Sequence, residues 1–73
     1  MTPAARAYLA AYRASEKASK ARQALPVGSS RARVTTANAR WSNAAEYRDR
    51  LEAQLSPEEL AEVHERLEKE QAA

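Results

Sequence analysis

The stretch Leu25-Pro26-Val27-Gly28-Ser29-Ser30 interrupts a chain otherwise written in helix formers, and its reading decides the fold. Pro26 disfavours helical geometry in the residue before it, Gly28 is the single glycine of the 73 residues, and Ser30 supplies a hydroxyl suited to cap a new helix. One helix is therefore predicted to stop near Leu25 and a second to start near Ser30. A connection this short sets neighbouring helices antiparallel.

Reading backward, Thr2 provides a capping hydroxyl and Pro3 stands at the first helical position, where its missing N–H costs nothing, so the first helix spans about residues 3–25. Reading forward, the second helix runs over about 30–55. The third start is the best marked: Ser56-Pro57-Glu58-Glu59 combines a cap, a first-turn proline and a Ser-x-x-Glu capping box, with Leu55 and Leu60 placed as a hydrophobic staple. This predicts a helix over 57–71. No strand, internal repeat or linker is read. The expectation is an all-α single domain over residues 1–73, a long antiparallel helical hairpin with a short third C-terminal helix, assembling into a bundle.

The core is thin. Of the 44% apolar residues most are alanine, leaving six Leu, three Val, three Tyr, one Trp and one Met as large apolar side chains. A single core in a chain this small rarely supplies more than about 3 to 5 kcal/mol, and cysteine is absent, so neither disulfides nor thiolate metal sites add to it. A protein partner or a second copy is expected to. Ala4, Ala7, Ala11, Ala14, Ala18, Ala21 and Leu25 alternate in spacings of three and four, predicting an alanine seam flanked by Tyr8 and Tyr12. The second helix answers with Val34, Ala37, Trp41, Ala44, Arg48, Leu51 and Leu55, broken only at Arg48, and the third with Leu60, Val63 and Leu67.

A formal charge of +2 hides a strong asymmetry. Residues 1–40 carry eight cations against one acid, Glu16, while residues 41–73 carry nine acids against four cations. Folding the hairpin gathers Lys17, Lys20 and Arg22 at the same end as Arg31, Arg33 and Arg40. On the first helix Arg6, Arg13, Lys17 and Lys20 form one stripe about 20 Å long. On the second, Arg33, Thr36, Arg40 and Asn43 lie on one flank, suited to phosphates and base edges, and the Gly28-Ser29-Ser30 start offers free N–H groups to an anion. The competing expectation is that the glutamates of the third helix neutralise these cations, within the chain or between copies.

Catalytic chemistry is not foreshadowed. His64 is the one imidazole, too few for a zinc site, and no HExxH, CxxC, GxSxG or Gly-rich phosphate loop occurs. The acids of the third helix lie on a solvated face with no cleft to raise a pKa. The first residues carry Arg6 and lead into no long apolar run, so neither a signal peptide nor a membrane span is read, and a cytoplasmic location is expected. Two functions remain. One is a small non-enzymatic accessory or regulatory protein, without cofactor, that binds the DNA or RNA backbone through Lys17, Lys20, Arg22, Arg31, Arg33, Thr36, Arg40 and Asn43. The other is a homo-oligomeric adaptor or inhibitor that docks an Ala/Tyr/Trp face on another protein, anchored by Tyr8, Tyr12, Trp41 and Tyr47.

Overall fold

In the computed structural model, which describes residues 1–72, the chain is all-α: α1 (Pro3–Gln23), α2 (Arg31–Glu52) and α3 (Pro57–Ala72). The first two pack along each other as a hairpin, and the shorter α3 packs more sparsely against α1. The turn forms as its residues dictate. Ser29 N–H donates to the Pro26 carbonyl at 3.1 Å, and Gly28 takes φ +87°, the left-handed value that favours glycine at the third position of such a turn.

Helix ends differ from expectation by two or three residues. α1 closes at Gln23, since Ala24 N–H donates to Lys20 O at 2.9 Å and Leu25 N–H turns tighter onto Arg22 O at 3.4 Å. α2 stops at Glu52 rather than 55 because Gln54 and Leu55 N–H groups bond three residues back, bending the chain toward the next cap. That cap is the predicted capping box. Ser56 N–H donates to Glu59 Oε1 at 3.0 Å, and Glu59 N–H donates to Ser56 Oγ at 3.2 Å.

A longer link joins the two helix starts. The Thr2 hydroxyl accepts from Ala5 N–H at 3.1 Å, capping α1, and donates to Glu59 Oε2. Eleven residues further along both helices Arg13 meets Glu70. Both pairs are 57 residues apart, so α3 runs parallel to α1 and in step with it. It accompanies α1 only to Arg13. Past Arg13 the end of α3 borders α1 only across an open depression, where Glu16, Lys17 and Lys20 lie beside Leu67, Glu70 and Gln71.

The core sits at the base of the hairpin, where Ala5, Tyr8, Leu9 and Val63 are buried and Tyr12, Leu51, Leu55, Leu60 and Leu67 pack around them. The alanine seam is therefore corrected. Ala4, Ala7, Ala14 and Ala21 are exposed, while Tyr8, Ala11 and Ser15 are buried, so α1 is turned toward its tyrosines by roughly one residue. Burying a tyrosine removes far more apolar area than burying an alanine, which decides the rotation. Tyr8 and Tyr12 meet edge to face with centroids 6.3 Å apart. Val34, placed on the predicted seam, is 39% exposed. The expected break at Arg48 is met by Ser15, 2% exposed, whose hydroxyl donates to Tyr12 O at 2.8 Å and accepts from Arg48 Nη1 at 3.3 Å. A polar layer thus bridges the hairpin where the apolar core ends.

Glu59 is held below the ordinary carboxylate range, first by the Ser56 N–H and then by the Thr2 hydroxyl. The fold therefore favours its charged form, and that contribution is present at neutral pH and is lost as pH falls through the carboxylate range. Between about pH 6 and pH 3 the thermal midpoint of Glu59→Gln should fall less than that of the unmodified chain, and equal falls would contradict the link. Burial, with Glu52 nearby, pushes the Tyr8 phenol up.

The molecule is elongated, 44 × 28 × 15 Å, with a radius of gyration of 14.4 Å where a compact chain of this length has about 11 Å. Its accessible surface is 5398 Å², against about 4,500 Å² for a compact monomer of this mass. No residue of α2 is fully buried.

Candidate nucleic-acid interface

Lys17, Lys20 and Arg22 on α1 and Arg31, Arg33 and Arg40 on α2 are all exposed in the tip half of the hairpin. Thr36 and Asn43 are exposed too. Among the described residues none of these six cations has a carboxylate oxygen within 4.0 Å. The acids of α3 act elsewhere: Glu70 on Arg13 and, at 3.9 Å, on Arg66; Glu65 on Lys69 at 3.4 Å; and Glu62 on the Met1 amine at 3.4 Å. Glu70, which borders the same depression as Lys17 and Lys20, is taken by Arg13. The α1–α3 register ends at Arg13, so the basic stripe of the first helix is split, with Arg13 paired and Lys17 and Lys20 beyond it.

The tip residues do not form one patch. Lys17, Arg33, Thr36 and Arg40 line a groove between the helices, together with Ala14, Ala18, Ala21, Leu25, Ala32 and Ala37, enclosing about 590 Å³. Lys20, Arg22, Arg31 and Asn43 lie outside it. The Arg22 guanidinium stands over the Trp41 ring, 4.5 Å from its centroid, covering one face of the indole. Stacking engages the face of the guanidinium and not the N–H groups in its plane. Ser30, part of the suggested anion-binding start, already accepts from Arg33 N–H at 3.2 Å as the α2 cap. Val27 projects fully into solvent at the turn.

The four aromatic anchors fare differently. Tyr8, at 2% exposure, belongs to the chain's own core, and Tyr12 and Trp41 are half-buried. Tyr47 is 50% exposed, with the Arg50 guanidinium 5.9 Å from its ring centroid. The groove itself was not legible in the sequence. Its signal was the alanine stripe, read as a contact with α2, whereas Ala14, Ala18 and Ala21 line the open groove.

His64 is exposed on α3, and among the described residues no group of three or more His, Cys, Asp or Glu is placed to hold a metal ion. No helix of the described residues is long and apolar enough to cross a membrane. Comparison with protein-family models, with curated proteins and with solved structures finds no match.

Proposed function

We propose that this chain is a small non-catalytic accessory protein that binds DNA or RNA through the phosphate backbone. The observation that carries the reading is the set of six exposed cations on the tip half of the hairpin, with no carboxylate within 4.0 Å among the described residues. Uncompensated cations attract a polyanion and release its counterions on contact, so affinity depends steeply on salt. The hairpin lies against the backbone rather than entering a duplex. Two packed helices are about 20 Å wide, and the major groove is about 12 Å. Lys20, Arg22 and Arg31 supply phosphate contacts, Lys17, Arg33 and Arg40 add to them, and Thr36 and Asn43 offer hydrogen bonds to base or sugar.

Titration of labelled single- and double-stranded oligonucleotides tests this directly. Between about 50 and 200 mM salt, log Kd should change with a slope approaching one per phosphate contacted, up to about five. Undetectable binding at the lower salt would remove the proposal.

A second reading, a protein-binding or self-associating adaptor, draws support from the exposed surface. The roughly 900 Å² beyond that of a compact monomer is close to what one partner contributes to a standard interface, about 800 Å².

A further inference from the structure

The groove at the hairpin tip has a chemistry that phosphates do not explain. Its floor is small and apolar, built by Ala14, Ala18, Ala21 and Leu25 of α1 with Ala32 and Ala37 of α2. Its edges are cationic, with Lys17 on one wall and Arg33 and Arg40 on the other, the two arginines about 10 Å apart along α2. At 100° per residue, the α1 positions that face α3, Ala5, Leu9 and Arg13, lie about 100 to 180° around the helix from Ala14 and Ala18. The groove therefore opens on the side of the hairpin away from α3.

We propose that this groove docks an acidic amphipathic helix of a partner protein. Alanine floors admit the ridge of a third helix, whose Leu, Val or Met side chains at i, i+3 or i+4, and i+7 would seat between α1 and α2. Carboxylates on the two flanks of that helix meet Lys17 on one side and Arg33 and Arg40 on the other. The same pairing exists at the base of the molecule, where α3 lays Val63 on the core and Glu70 on Arg13. Charge excludes a second copy's tip, which is also basic. A nucleic acid finds no open aromatic ring on the floor, and apolar side chains offer its phosphates nothing. This inference stands apart from the phosphate reading, although both use Lys17, Arg33 and Arg40, so the two ligands compete.

The test uses the full chain with a synthetic peptide of residues 56–72, itself an acidic amphipathic helix, as the probe. Ala14 and Ala21 are exposed, and arginine is a strong helix former, so the double variant Ala14→Arg, Ala21→Arg keeps the helix while filling the floor and adding cations. The peptide should bind the unmodified chain and lose at least about tenfold in affinity on the variant, which retains or gains oligonucleotide binding. Replacing Glu58, Glu62, Glu65 and Glu68 of the peptide by Gln should also weaken it at least about tenfold. Three results would overturn the proposal: peptide affinity unchanged by the variant, no peptide binding to the unmodified chain at millimolar concentration, or loss of oligonucleotide binding in a variant that stays helical. A dimer in sedimentation that Ala14→Arg, Ala21→Arg converts to monomer would assign the groove to a second copy and overturn it as well.

Discussion

Tyr8→Ala should abolish the cooperative thermal melt of this chain and most of its helical circular dichroism at 25 °C. Tyr8 is 2% exposed and sits among Ala5, Leu9 and Val63, which complete the buried cluster among the described residues. Truncating a buried aromatic to alanine costs about 3 to 5 kcal/mol, and a core of this size supplies about the same in total. Nothing elsewhere compensates, since α2 buries no residue fully and the distal hairpin is held mainly by half-buried alanines and the Arg22–Trp41 stack. Tyr8→Phe is the control. It keeps the ring and its edge-to-face contact with Tyr12, so its melt should stay within about 1 kcal/mol of the unmodified chain. The control also separates packing from ionisation. Because the fold pushes the Tyr8 phenol up, it favours the neutral form, and the chain loses stability as pH rises past the ordinary tyrosine range of about 10. Tyr8→Phe should lose less there. A Tyr8→Ala chain that melts cooperatively near the original midpoint would show that the stability lies outside this cluster.

The second large effect is expected from reversing charge at the tip. Arg33 and Arg40 are exposed, seven residues apart on α2, and neither has a carboxylate within 4.0 Å among the described residues. If the proposed function holds, Arg33→Glu, Arg40→Glu exchanges two phosphate contacts for two repulsions. Oligonucleotide affinity at low salt should fall at least about tenfold, and the salt slope should shrink by about two. The fold should survive, because glutamate is a good helix former and position 33 lies in the first turn of α2, where a negative charge is favoured. Arg13→Glu is the useful contrast. Arg13 belongs to the same basic stripe of α1 but is held by Glu70, so its reversal should loosen α3 more than it weakens nucleic-acid binding. An unchanged affinity and slope in Arg33→Glu, Arg40→Glu would withdraw these two arginines from the interface.

Much of the architecture was legible because its signals are local. Pro26 and Gly28 stop and turn the chain, Thr2, Ser30 and Ser56 accept the N–H groups of the helices they begin, and Glu59 completes its box three residues from Ser56. Each depends on neighbours within four residues, so hydroxyl chemistry and proline geometry suffice. The same locality explains the good register of α2, where Trp41, Ala44, Arg48 and Leu51 do turn inward. The candidate interface was legible only as a list of cations. Their separation into groove walls and outer residues depends on how far α1 rotates, and spacing alone leaves that open.

Composition and spacing determined three helices, their caps, the hairpin turn and the gathering of positive charge at one end. Tertiary packing decided which face of α1 is buried, because alanine and tyrosine stripes a residue apart are both helical, and only the larger area of Tyr8 against Val63 and Leu9 selects between them. It also decided the parallel register that brings Glu59 to Thr2 and Glu70 to Arg13, leaving Lys17 and Lys20 past the last α3 carboxylate that pairs with α1. Those choices rest on contacts 57 residues apart in the chain, which periodicity within a single helix does not encode.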